Sequence, residues 1–274
     1  MPKRTSSEAN TLTAAASGTE LRADRRLAPV MGHRGACAHA PENTLASIRQ
    51  AAALGVSWVE FDVMLTGDGV PVLFHDDSLE RITGRRALMA ETPFADLAGL
   101  DAGSWFAAEF EGERIPSLRA AVALLLQLDL HPNVEIKSTP GRDVETAIAA
   151  LETLGEVWPA DRPPPLISSF SRMSLAAART LRPDWPRALI VHKIPTDWQT
   201  ALQALDCQAF HVNCKVLTWE FISLVKASGR QVAAFTVNDA KKARELYESG
   251  IDSVISDAPE KIAGAYAKSR CRPA

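Results

Sequence analysis

The chain has 274 residues, of which 46% are hydrophobic, 23% charged and 6% aromatic, with a formal net charge of -3. That length suits one large α/β core or two ordinary domains. The near-neutral balance excludes a general electrostatic attraction to nucleic acid or anionic membrane, and no apolar run is long enough to span a bilayer.

Residues 1–27 contain no apolar signal-peptide region, because TLTAAASG is short and polar, and they read as a disordered leader. PVMGH (29–33) reads as the first strand. PENTLASIRQAAALG (41–55) follows as a helix opened by Pro41 and closed by Gly55. VSWVEFDVML (56–65) is the second strand, Gly67-Asp68-Gly69 a turn, and VPVLFHD (70–76) the third strand. From Asp77 to about Pro116 the alternation breaks, and this mixed run reads as an insertion, either a small subdomain or a lid.

Alternation then resumes, with helices expected over 117–129, 142–154, 171–181, 196–204, 218–228, 239–249 and 259–268. Strands are expected between them at 132–137, 165–170, 187–192, 208–213, 231–237 and 253–257. The folded unit is thus expected over 28–268, with 269–274 as a tail. Eight or nine strands, one early hairpin and helical connections predict a TIM (β/α)8 barrel with a small insertion after the third strand. A doubly wound open sheet is the alternative. GHRGAC is not a dinucleotide fingerprint, and no P-loop occurs.

Cys37, Cys207, Cys214 and Cys271 form no CxxC pair and no zinc spacing. They read as reduced thiols or a tail residue rather than a disulfide framework, which places the chain in the cytoplasm.

In a strand, residues two apart share a face, so Glu60/Asp62 and Glu135/Lys137 each point one way from otherwise apolar strands. Charges aimed into an interior are costly unless paired or bound to metal. In a barrel these pairs fall near strand C-termini, together with His33, His75, Phe170, Asn213 and Phe235. Three carboxylates so close would repel unless a cation intervened, and oxygen donors suit Mg2+ or Ca2+. The plainer reading makes them structural partners of Arg34 and Lys137. Beside a metal, Arg34 and Lys137 would instead supply fixed positive charge for a phosphate. His33 and His75 suit general acid and base work at a phosphodiester, although either could ligate the metal.

The run GHRGACAHAPENTLASIRQAAALGVSWVEFDVMLTGDGVPVLFHDDSLERITG resembles the N-terminal signature of glycerophosphodiester phosphodiesterases. The HRG, PENT, ExD, DG-x-PV-x-x-HD and L-x-R-x-T-G elements appear in order, and VEIKS, ISSFS, AFTVND and GIDSVISDAP follow. LDAGSWF, FEGERIPSL and CQAFHVNCKVL look like the bacterial cytoplasmic branch. The resemblance covers about residues 29–262. It implies a TIM barrel with an insertion after the third strand, and Mg2+ or Ca2+ at Glu60, Asp62 and Glu135. It implies an acid/base pair at His33 and His75 and phosphate contacts at Arg34 and Lys137.

The implied reaction turns a small glycerophosphodiester and water into sn-glycerol 3-phosphate and an alcohol, with no nucleic-acid partner and no stable membrane insertion. Attack by water, or by the substrate's own glycerol hydroxyl through a cyclic phosphate, are the two routes considered. Phe235 stands where many relatives have Trp or Tyr, keeping an apolar wall without a polar tip. Arg81-Ile82-Thr83 replaces the commoner R-T-T. Trp105, Phe170, Asn213 and Phe235 are candidates for the substrate pocket, Trp105 equally for a local core. A lysophospholipase D-like activity on the same barrel is disfavoured, because no interfacial amphipathic helix with a basic face is apparent. A non-catalytic phosphate-binding protein would lack a histidine or an acid, and none is missing.

Overall fold

The computed structural model describes residues 26–137 and 141–270. Its strands are β1 (Val30–Gly32), β2 (Trp58–Leu65), β3 (Pro71–Leu73), β4 (His131–Ile136), β5 (Leu166–Ser169), β6 (Arg187–Val191), β7 (Ala209–Asn213), β8 (Gln231–Phe235) and β9 (Ser253–Ser256). They join in the order β1-β9-β8-β7-β6-β5-β4-β2-β3, and a pairing between β1 and β2 closes the ring. Every pair around the ring is parallel, while β3 lies antiparallel on β2 outside it. Eight parallel strands with helical crossovers make the expected TIM barrel.

Strand alternation divides the side chains between two cores. On β2, Val59, Phe61 and Val63 face outward and pack with Leu118, Val122 and Leu125 of helix Leu118–Gln127. The barrel interior is filled by Met31, Leu166, Ala188, Ala209, Ala233 and Ile255. Leu27 joins this interior cluster, and its N–H donates to Gln231 Oε1 at 2.7 Å. The sequence reading put Leu27 in the leader; the rest of that leader, apart from Arg26, lies outside the described residues. Ser269 and Arg270, expected in the tail, continue the helix Pro259–Arg270.

The first long helix starts later than Pro41 suggested. It spans Leu45–Ala53, with Thr44 as N-cap in a capping box with Ser47. Pro41–Asn43 instead form a turn, with Asn43 at φ 57. β3 is also shorter than expected, so His75 sits in the loop beyond the strand rather than within it. Residues 77–116 hold only short helices, among them Glu80–Thr83 and Phe94–Leu97. They close over a small core of Met64, Phe74, Leu79, Ile82, Met89 and Leu97. Among the described residues, no helix is long and apolar enough to cross a membrane.

Two glycines shape the loop after β1. A Cβ on Gly32 would lie 2.0 Å from the Gly35 carbonyl oxygen. Gly35 takes φ +89, and a Cβ there would lie 2.4 Å from Ser47 Oγ and 2.6 Å from its carbonyl carbon. The loop thus folds back onto the strand end and onto the first turn of helix Leu45–Ala53. Gly35→Ala is expected to lower the unfolding free energy by about 1–3 kcal/mol through backbone strain and this clash. Urea unfolding measures it, and an unchanged midpoint would contradict the packing described.

Candidate active site

Register sets the site. In the β2–β4 pairing Asp62 lies opposite Glu135, and Glu60 opposite Asn133. Inward alternation therefore brings Glu60, Asp62 and Glu135 together at the C-terminal mouth, 3%, 2% and 9% exposed. One carboxylate oxygen from each lies within 4.8 Å of the others.

Two cations reach into this cluster. Lys137 Nζ stands 3.1 Å from Glu135 Oε1 and 3.4 Å from Asp62 Oδ1. Arg34 Nε stands 3.3 Å from Asp62 Oδ2, and its Nη1 donates to Glu42 Oε1 at 2.7 Å. The Arg34 backbone N–H donates to Glu60 Oε2 at 3.0 Å, from a residue at φ 49. Such a backbone angle is uncommon outside glycine, and it aims both the amide and the side chain at the carboxylates. Asn43 grips Asp62 twice: its Nδ2 donates to Oδ2 at 2.8 Å, and its Oδ1 accepts the Asp62 backbone N–H at 3.1 Å.

The three carboxyls differ electrostatically. Burial, then repulsion from Asp62 and Glu135, pushes Glu60 well above the usual carboxylate range. Burial and Asp62 push Glu135 up as well, against Lys137. Burial also pulls Asp62 upward, but Lys137, Arg34 and Asn43 outweigh it and hold Asp62 down. Glu60 Oε1 is buried and has no partner within the protein. Three buried carboxylates whose oxygens converge within 4.8 Å fit a hard divalent cation.

Both candidate histidines are backed by carboxylates. His33 Nδ1 meets Asp257 Oδ1 at 2.5 Å, and His75 Nδ1 meets Asp76 Oδ1 at 2.6 Å. A carboxylate can only accept, so Nδ1 carries the hydrogen in each ring and Nε2 is left free for chemistry. His33 Nε2 lies 3.9 Å from Glu60 Oε2. Asp257 also accepts from Cys37 Sγ at 3.0 Å and from Asn238 Nδ2 at 2.5 Å. Burial would raise Asp257, yet His33, Cys37 and Asn238 hold it low. Burial lowers His75, with Arg34 and Lys137 adding to it against Asp62 and Asp76.

The remaining candidates spread around the mouth. Phe235 shares a small cavity with His33 and Glu60. Phe170 meets Phe235 edge-on at 5.9 Å and stacks on His192 at 4.5 Å. Asn213 turns its Oδ1 to the backbone N–H of Lys215. Trp105 is 41% exposed, gives its indole N–H to Ala102 and lies 5.8 Å from the Arg81 guanidinium. Arg81 in turn pairs with Glu42 and Asp76, which links Trp105 to the site.

Sequence reasoning missed Glu42, Asn43, Asp76 and Asp257 as parts of this site. Asp76 follows His75 directly and Asp257 ends a strand, so both carried a positional signal. A cavity of about 580 Å³ lies at the opposite end of the barrel beside Trp58, His131 and Gln231. Its acids are already engaged, Asp129 by Arg162 and Asp206 by Arg187.

A family model described as the glycerophosphoryl diester phosphodiesterase family matches residues 33–261. A glycerophosphodiester phosphodiesterase of Caldanaerobacter subterraneus subsp. tengcongensis is 31% identical, with 85% of this chain and 95% of that one covered. A solved phosphodiesterase of Oleispira antarctica, in complex with the product sn-glycerol-3-phosphate, is 44% identical with a TM-score of 0.85. That match covers 88% of this chain and 97% of the solved one. A glycerophosphodiester phosphodiesterase structure from Agrobacterium tumefaciens, at 23% identity and TM-score 0.71, covers 87% of this chain and 100% of that one, and shares the fold.

The raised Glu60 and Glu135 make cation binding compete with protons. Ordinary carboxyls would stop competing by about pH 6. Here Ca2+ affinity, measured by titration calorimetry, is expected to keep rising with pH beyond that point, with protons released on binding. Affinity that is flat from about pH 6 upward would contradict the electrostatics described.

Proposed function

The chain belongs to the glycerophosphoryl diester phosphodiesterase family, and from that premise we propose how its residues divide the work. The reaction is hydrolysis of a glycerophosphodiester to sn-glycerol 3-phosphate and an alcohol. The observation that carries the reading is the convergence of three buried carboxylates, two fixed cations and two carboxylate-backed histidines at one barrel mouth.

Glu60, Asp62 and Glu135 would hold the divalent cation, Mg2+ or Ca2+, which when bound supplies Lewis-acid stabilisation of phosphoryl charge. Arg34 and Lys137 face the non-bridging phosphate oxygens and offset the charge that grows on them. Their present partners, Asp62 and Glu135, hold both side chains in place beforehand. His75 is kept neutral by burial and is suited to take the proton of the attacking hydroxyl, from water or from the substrate's own glycerol. His33, held by Asp257 with Nε2 toward the site, delivers a proton to the departing alkoxide. Asp76 and Asp257 keep the rings in the required tautomer.

Phe235 and Phe170 give the site an apolar wall for the carbon skeleton of the substrate. Trp105 acts at one remove by fixing Arg81, while Asn213 shapes the rim through its turn with Lys215. Residues 77–116 form the insertion that borders the mouth. A cytoplasmic site of action accords with the free thiols of Cys37, Cys207 and Cys214.

An assay that couples glycerol 3-phosphate release to a reporter tests the assignment. His33→Ala and His75→Ala are each expected to lower kcat about 10²–10⁴-fold with an unchanged circular dichroism spectrum. Near-normal turnover in both would refute the acid/base roles. Thorough chelation is expected to abolish activity, with recovery on adding Mg2+ or Ca2+; full activity after chelation would refute the cation role.

A further inference from the structure

Besides the carboxylates, the barrel interior contains buried polar side chains that the proposed chemistry leaves unused. Asn133, Ser168, His211 and Ser253 are all fully buried. Both side-chain polar atoms of Asn133, both ring nitrogens of His211 and the hydroxyls of Ser168 and Ser253 have no partner within the protein. Buried polar atoms are ordinarily hydrogen-bonded, to protein or to ordered water. Ile190 and Ile255 stand at the same depth and show that apolar side chains fit this interior.

The geometry gives the atoms of Asn133 and His211 a common meeting point. A cavity of about 20 Å³ is bounded by His33, Glu60, Asn133, Glu135 and His211, with Ile190, Ile255 and Phe235 completing it. Asn133 lies opposite Glu60 in the β2–β4 register, whereas β7, which carries His211, is four strands around the ring from β2. The cavity therefore joins opposite walls of the barrel. Its size suits one water molecule, which needs two to four polar partners. Burial keeps the His211 imidazole neutral, with its pKa pushed down to about 3, so the ring offers one donor and one acceptor. Glu60 Oε1 and Asn133 Oδ1 accept hydrogen bonds.

We propose that this cavity binds one ordered water, which donates to Glu60 Oε1 and Asn133 Oδ1 and accepts from His211. Asn133 and His211 are then positioning residues: through the water they fix the rotation of the Glu60 carboxylate. The second half of this proposal rests on reading Glu60, Asp62 and Glu135 as cation ligands. Partners standing behind metal ligands typically change affinity 10–100-fold when removed.

A crystal structure of the unmodified protein at atomic resolution tests the first half. It is expected to show one water within hydrogen-bond distance of Glu60, Asn133 and His211. A dry cavity, a metal ion there, or a direct His211–Glu60 hydrogen bond would overturn it. Ca2+ titration calorimetry on Asn133→Leu and His211→Phe tests the second half. Both variants are expected to bind Ca2+ about 10–100-fold more weakly, and His211→Gln is expected to restore most of the loss. Thermal melts run in parallel, because a merely structural role would shift the melting temperature and leave Ca2+ affinity unchanged, which would overturn the positioning role. If the unmodified protein binds no Ca2+, the cation-site reading fails and takes the positioning role with it. If it binds and the variants bind equally well, the positioning role alone fails. Should a variant not fold, the crystallographic water decides.

Discussion

The mutual repulsion of three buried carboxylates is the constraint around which the mouth of this barrel is arranged. Asp62 and Glu135 are side by side in register, and Glu60 lies one inward position below Asp62. Carboxylates removed from water at that spacing cannot all stay ionised without compensation. Arg34 and Lys137 supply two positive charges against three negative ones, and the outcome is uneven. Asp62, held by both cations and by Asn43, stays acidic, while Glu60 and Glu135 are driven upward. A divalent cation would offset the remaining imbalance, leaving a net charge that a phosphodiester monoanion could balance.

The loop after β1 shows how the fold serves that arrangement. Gly32 and Gly35 let the chain turn tightly against Ser47, and Arg34 between them adopts a left-handed conformation. Asn43, also left-handed, closes the turn before the Thr44 cap. Strained backbone at both positions is sustained because each side chain is then locked onto Asp62. Glu42, from the same turn, engages Arg34 and Arg81 together and so ties residues 77–116 to the carboxylate cluster. One short segment thereby links the strand end, the first helix and the region beyond β3.

The barrel and the charged strand positions were legible because both obey simple periods. Alternation of strand and helix reports eight strand–helix units, and a two-residue spacing puts Glu60 with Asp62 and Glu135 with Lys137 on one face. What escaped is set by loops. Asn43 hides inside a run that reads as the start of a helix, since Pro41 is a plausible first helical residue and only the Thr44 cap displaces it. Asp257 and Asp76 act through contacts that no periodic pattern encodes, although each sits next to a residue or strand end already under suspicion. His75 reads as strand, yet the β2–β3 ladder ends at the Val63–Leu73 pair, two residues short of it. Asn133 and His211 were hard to read for another reason: His211 falls near a strand end without a partner the sequence could name, and Asn133 resembles any polar residue on an apolar strand.

Locating Ca2+ by anomalous scattering, in a crystal grown with it, tests the central claim most directly. The account predicts a peak about 2.3–2.6 Å from at least one oxygen of each of Glu60, Asp62 and Glu135, with Arg34 and Lys137 flanking it. A peak elsewhere, or none while both cations remain paired with Asp62 and Glu135, would make the cluster a closed structural ion-pair network and contradict the account.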